Sequence, residues 1–209
     1  MSLPCLFVLG DSISVQYGPH LERMLQGVCR YTRKTGEEQA RKNLDVPRGA
    51  NGGDSRMCLT FLRSLERLDA DVMLLNCGLH DIKSPPNGGP LQVPMDEYER
   101  NLHALVARVA QLGPDLIWVR TTPVDESQHN TPEMGFWRFN RDVDAYNAIA
   151  DAVMAQHNVP VADLHTFTRS LGPLNELLHD GRHYIEPVQK LQAAFLAGYV
   201  QARLQSRRG

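Results

Sequence analysis

Short apolar runs alternate with amphipathic segments along the chain, and this alternation restricts the fold more than any other feature. Residues 3–9 read as a buried strand, and 18–27 as a helix with Leu21, Met24 and Leu25 on one face. A strand over 28–33 leads through a polar stretch to a glycine loop. Residues 54–67 carry Met57, Leu59, Phe61, Leu62 and Leu65 in a helical pattern, opened by Asp54 or Ser55 as a cap. The run 71–76, Asp-Val-Met-Leu-Leu-Asn, has the form of a buried parallel strand. The proline- and glycine-rich segment 84–94 reads as a loop. Helices are predicted over 95–112, 140–157 and 186–205, and strands over 115–121 and 159–163. Strands alternating with helices imply a mainly parallel sheet of about five strands, covered on both faces. No linker divides the chain, so residues 1–209 form one domain.

In such sheets the reactive loops lie at the carboxyl ends of the strands. Ser12 follows the first strand, Gly53 follows the second by a longer loop, and His80 follows the third. The loop from Asp180 to His183 precedes the last helix and can reach the same rim. The expected fold is a flavodoxin-like three-layer α/β/α sandwich without a long cap.

Two short motifs at opposite ends of the chain supply complementary chemistry. Gly10-Asp11-Ser12 places a serine where a buried strand turns sharply. A serine hydroxyl is a weak nucleophile at neutral pH and needs a base to take its proton. In Asp180-Gly181-Arg182-His183 a carboxylate precedes an imidazole by three positions. Histidine can accept the serine proton and return it to a leaving group, while a carboxylate fixes the ring's tautomer and stabilises the imidazolium. Ser12, His183 and Asp180 are therefore a candidate catalytic triad.

With these motifs the sequence resembles the SGNH (GDSL-type) hydrolases, a family of esterases, lipases, thioesterases and carbohydrate deacetylases. Gly10-Asp11-Ser12 matches the nucleophile block, and Gly53 in Asn51-Gly52-Gly53-Asp54-Ser55 the glycine block. Asn76-Cys77-Gly78-Leu79-His80-Asp81 matches the block written Asn-x-Gly-x-Asn-Asp, and Asp180 to His183 the last block. The resemblance runs from residue 3 to about residue 204. It implies an oxyanion hole made by the Ser12 and Gly53 backbone N–H groups. It places His80 where the family has an asparagine amide donor. Either the imidazole N–H replaces the amide, with a charge that depends on pH, or the hole is impaired; the first reading is preferred because the other blocks are present.

The expected activity is hydrolysis of carboxylic esters through an acyl-serine intermediate. Short acyl groups are favoured, acetyl on a carbohydrate among them, because no long apolar cap is visible. A thioesterase, lysophospholipase or acyltransferase of the same fold stays open, as does a non-catalytic ligand-binding relative. Asp11, Trp137 and His179 are the candidate substrate contacts, and the stretch 123–139 is the expected seat of substrate choice. Asp81 braces His80 or its loop, or caps a helix or turn. Arg56 and Lys83 could meet an anionic substrate, although solvated surface charge is the simpler reading. His20, His103 and His157 fall on predicted helices, and His129 and His165 follow strands or lie in polar loops; each reads first as structural or surface.

A net charge of -2 gives no reason to expect nucleic acid as a partner. The segment Arg203 to Arg208 reads as a solvated helix end. No apolar run approaches the ~20 residues that span a bilayer. Cys5, Cys29, Cys58 and Cys77 show neither C-x-x-C nor metal-ligand spacing and read as buried thiols of a reducing compartment. No metal or organic cofactor is implied. The sequence as it stands carries no export signal, which suits the cytoplasm, unless a leader has been removed at Met1-Ser2-Leu3.

Overall fold

The apolar runs pair into one parallel sheet. A computed structural model describes residues 2–86 and 88–207. In chain order the elements are β1 (Cys5–Leu9), α1 (Ser12–Met24), β2 (Arg30–Arg33), α2 (Glu37–Lys42), α3 (Ser55–Ser64), β3 (Val72–Leu75) and α4 (Met95–Leu112). They continue with β4 (Asp115–Val119), α5 (Glu126–His129), α6 (Asn140–Gln156), β5 (Val161–Ala162), α7 (Leu164–Arg169), α8 (Leu174–Leu177) and α9 (Glu186–Ser206). The strand order is β2-β1-β3-β4-β5. Every residue of β1 and β3 is buried, as central strands covered on both faces require. The edge strand β2 leaves Arg30 exposed. Helices α1, α7 and α9 pack together, as do α3, α4 and α6, giving the three-layer α/β sandwich that the alternation predicts.

This order has a functional consequence. From β1 the chain goes to β2 on one side, then crosses to β3 on the other, where Leu6–Leu9 pair with Val72–Leu75. The connections after β1 and β3 therefore leave in opposite directions, and a crevice opens outside their carboxyl ends. Ser12 and His80 border it.

Helix α1 begins at Ser12, six positions before the predicted 18–27. Residues 12–18 are all buried, so they lack the polar face that marks an amphipathic helix. Pro19 inside α1 has no N–H for the carbonyl of Val15, and the Arg41 guanidinium of α2 occupies that carbonyl instead, at 3.4 Å. The short helices α2, α5, α7 and α8 lie in stretches that read as polar or irregular.

All four cysteines are buried and unpaired. Arg203 and Arg207 both reach the Asp115 carboxylate, tying the end of α9 to β4; Arg208 lies outside the described residues. Among the described residues no helix is long and apolar enough to cross a membrane.

Candidate active site

Asp11 caps α1: its Oδ1 accepts the Ile13 N–H at 2.9 Å, which fixes Ser12 as the first helical residue. Ser12 Oγ lies 3.0 Å from His183 Nε2, and His183 Nδ1 lies 2.7 Å from Asp180 Oδ2. A carboxylate only accepts, so the ring carries its proton on Nδ1 and offers Nε2 to the serine hydroxyl. Asp180 also accepts the backbone N–H groups of Arg182 (3.1 Å) and His183 (2.7 Å), so the short loop folds around its own carboxylate. Burial alone would raise the Asp180 carboxyl, but the His183 hydrogen bonds and the Arg182 charge outweigh it and hold the group below the usual carboxylate range.

Two clasps hold this loop, one to α1 and one to the segment after β4. Gln16 accepts the Tyr184 N–H at 3.1 Å and donates to the Tyr184 carbonyl at 3.2 Å, a side-chain amide imitating one rung of a sheet. The Tyr184 hydroxyl donates to the Pro123 carbonyl at 2.8 Å. Neither residue belongs to a motif, and Gln16 is indistinguishable from any other helical glutamine by sequence.

The three expected oxyanion donors are in different states. Ser12 N–H opens α1, where a backbone donor has no intrahelical acceptor. Gly53 N–H is already donated to Asn51 Oδ1 at 3.0 Å, so it can serve an oxyanion only as a shared donor. Gly53 has φ +74, and a Cβ there would lie 2.5 Å from Met57 Sδ and 2.9 Å from Pro47 Cβ. His80 is 1% exposed, and its Nδ1 has no hydrogen-bond partner among the described residues. Burial, reinforced by the charges of Lys83, Arg138 and His183, pushes its pKa well below the usual histidine value. That direction favours the neutral ring, which has one N–H to offer, as an amide has.

Beside the triad runs a ladder of charged groups that the sequence did not reveal. Arg182 grips Asp45 through Nε and Nη2 at 2.5 and 2.6 Å, and its Nη1 faces His129 Nδ1 at 3.2 Å. The other face of this chain is Arg138, whose Nη1 lies 3.1 Å from His129 Nε2 and whose Nε donates to the Leu79 carbonyl at 2.5 Å. Burial and the two guanidinium charges push His129 down to about 3, so it stays neutral. His129, read as a polar-loop residue, is in fact buried in the wall that supports both the Asp180–His183 loop and the Leu79–His80 turn. These contacts join residues far apart in sequence, where no local pattern could announce them.

The candidate substrate contacts separate. Asp11 is 1% exposed, and its role is the α1 cap; burial raises its carboxyl. His179 is exposed, its Nε2 3.7 Å from Asp180 Oδ2 and its ring 6.0 Å from that of His183, so it borders the site. Trp137 is half-buried, pairs with Ser84 in an isolated antiparallel bridge, and donates its indole N–H to the Thr131 carbonyl at 3.1 Å. Asp81 braces the loop rather than the His80 ring: both its oxygens accept the Ser55 N–H, at 2.9 and 3.1 Å, and pin the turn after β3 to the start of α3. Arg56 is paired with Glu97. His179, Asp180 and His183 bring possible metal-ligand atoms within 4.8 Å of one another, but Asp180 and His183 are already bonded to each other.

Residues 8–190 match the model of the GDSL-like Lipase/Acylhydrolase family. No curated protein matches the chain. In fold it is similar to a lipase/acylhydrolase from Enterococcus faecalis, with 16% identity, a TM-score of 0.66, and 96% of this chain and 97% of that one covered. It is similar to the acetyl xylan esterase AlAXEase, with 14% identity, a TM-score of 0.68, and 94% and 99% covered. It is similar also to the psychrotrophic esterase EstA from Pseudoalteromonas sp., with 16% identity, a TM-score of 0.63, and 97% and 99% covered. Identities this low speak for the fold alone.

Proposed function

Because the chain belongs to the GDSL-like lipase/acylhydrolase family, we propose that it hydrolyses carboxylic esters through an acyl-serine intermediate, with Ser12, His183 and Asp180 as its catalytic triad. The observation that carries this reading is the continuous relay of 3.0 and 2.7 Å from Ser12 Oγ through the imidazole to Asp180.

Ser12 Oγ attacks the ester carbonyl carbon as its proton passes to His183 Nε2. Asp180 stabilises the resulting imidazolium through Nδ1–H. The tetrahedral oxyanion takes hydrogen bonds from the Ser12 N–H and His80, with the Gly53 N–H shared between it and Asn51. Collapse breaks the bond to the alcohol oxygen, which leaves with the proton from His183. Water then attacks the acyl-serine by the same route in reverse, and the free acid departs.

A short acyl group suits the surroundings. His179 and Arg182 flank the Asp180–His183 loop, and Lys83 and Arg138 lie at the turn that carries His80, so polar groups outnumber the apolar Met57 and Pro47 side chains against Gly53. An acetyl ester on a carbohydrate is the substrate we favour, and the likeness in fold to an acetyl xylan esterase agrees with it. The capture of the Gly53 N–H by Asn51 favours the rival reading, a binding protein that keeps the fold without turnover.

One experiment separates the two. Wild type and Ser12→Ala are treated with a fluorophosphonate probe and assayed on p-nitrophenyl esters from acetate to octanoate. Ser12-dependent labelling, with turnover that falls as the acyl chain lengthens, is the expected result. No labelling and no Ser12-dependent turnover would leave the binding protein.

A further inference from the structure

The carboxylates of Asp11, Asp45 and Asp180 act on Arg138, and those of Asp45 and Asp54 on Lys83, without touching either cation. Arg182 is matched by Asp45 and Asp180 by His183, but Arg138 and Lys83 form no ion pair among the described residues. Arg138 is only 3% exposed, and a buried guanidinium with no carboxylate in contact is a costly arrangement. Its known partners are a carbonyl oxygen and a neutral imidazole. The half-buried Lys83 ammonium makes no hydrogen bond among the described residues and rests over the Phe136 ring, 4.4 Å from its centroid. Arg138 lies 4.9 Å from the same centroid, so two like charges share one aromatic ring.

Both cations belong to the surroundings of the turn that carries His80. Lys83 lies three residues beyond His80 on the turn after β3, and Arg138 holds the carbonyl just before His80. The charges of Lys83, Arg138 and His183 all bear on the buried His80 ring, and those of Arg138 and His183 on Asp11 next to Ser12. Burial and the Arg138 charge push Lys83 down to about 8. Packing alone gives no reason to set a second cation beside the first, because each weakens the other. An anion arriving between them would relieve both.

We propose that the substrate is an ester carrying a negatively charged group close to its scissile bond, received by the Lys83 ammonium in the field of Arg138. This rests on the ester-hydrolase reading and narrows it. Carboxylate, phosphate and sulfate share the chemistry required. Lys83 is then a specificity-determining residue that touches substrate, while Arg138 sets the potential from beneath the surface.

The test uses two matched pairs of esters. One varies charge on the acyl side, p-nitrophenyl hemisuccinate against p-nitrophenyl butyrate; the other varies it on the alcohol side, 4-acetoxybenzoate against phenyl acetate. The readout is the ratio of kcat/KM, anionic over neutral, in wild type, Lys83→Met and Lys83→Arg. At least one pair is expected to favour the anion by about tenfold in wild type and in Lys83→Arg, at low salt, with the preference abolished in Lys83→Met. Ratios near one in both pairs, or a preference that survives Lys83→Met, would overturn the inference while leaving the esterase reading intact. Absence of Ser12-dependent turnover on all four esters would overturn both together.

Discussion

Arg182 and Asp45, 137 positions apart in sequence, are joined by two parallel hydrogen bonds one residue before the histidine that faces Ser12. The pair ties the Asp180–His183 loop to the stretch between α2 and α3. Asp45→Ala would leave the largely buried guanidinium with only Asp180, 3.7 Å away, as a carboxylate partner, at a cost of about 1–3 kcal/mol. The expected outcome is a Tm several degrees lower and a kcat reduced by about tenfold, since a small displacement of His183 spoils its line to Ser12. Wild-type values of both would show that the loop holds without this pair.

Replacing His80 tests the oxyanion assignment. His80→Ala is expected to lower kcat by about a hundredfold with little change in KM, and His80→Asn to keep most of the activity. Because the ring is held neutral, the ratio of wild-type to His80→Ala rates should stay flat between about pH 6 and 8. A ratio that swings with pH would mean that His80 works through its charge.

Gly181 is the hinge of the triad loop. Its φ is +80, and a Cβ would stand 2.5 Å from the His129 nitrogen and 2.8 Å from the Asp125 carbonyl oxygen, both rigid backbone. The Gly181 carbonyl also accepts the Asp125 N–H at 2.7 Å, so loop and α5 cannot part without losing that bond. Gly181→Ala is expected to lower Tm and to cut fluorophosphonate labelling of Ser12 by more than about tenfold. Unchanged labelling would show that the loop can shift without disturbing His183.

Asp81 makes stability depend on pH in a distinctive direction. Burial raises its carboxyl to about 7, against the opposing hydrogen bonds from Ser55. Between about pH 4 and 7 the folded chain therefore keeps a proton that the unfolded chain has lost, so stability falls as pH rises through this window, by up to ~4 kcal/mol. The low-lying Asp45 and Asp180 carboxyls act oppositely, stabilising above the usual carboxylate range and losing that contribution in acid. Chemical unfolding of Asp81→Asn against wild type isolates the first effect: the difference should grow in favour of the variant from pH 4 to 7, then level off. A constant difference would mean that Asp81 does not titrate there.

The parts of the site that were legible in sequence are those whose chemistry is local. A serine after a buried strand, and a carboxylate three residues before a histidine, announce themselves because neighbouring backbone brings them together. The strand alternation did the same for the sheet. What stayed hidden depends on contacts between distant segments. Gln16, Asp45, His129 and Arg138 belong to no pattern, and their importance comes from partners on other loops. The capture of Gly53 by Asn51 is different, because an asparagine two residues before a glycine carries the signature of a side chain turning back on the backbone. That signal was present and competed with the family reading of Gly53 as an oxyanion donor.

The hydrogen bond between Ser12 and His183 spans 171 positions, and its two halves meet where α1 and α9 pack. A chain emerging from the ribosome thus holds the proposed nucleophile from the outset but gains the proposed base only after the sheet behind it has been made. Partly folded or shortened chains that lack the segment beyond residue 179 keep an unactivated serine, so an unfinished molecule is chemically quiet. Labelling of Ser12 during refolding would then mark the arrival of the last segment, giving a covalent clock for the completion of the fold.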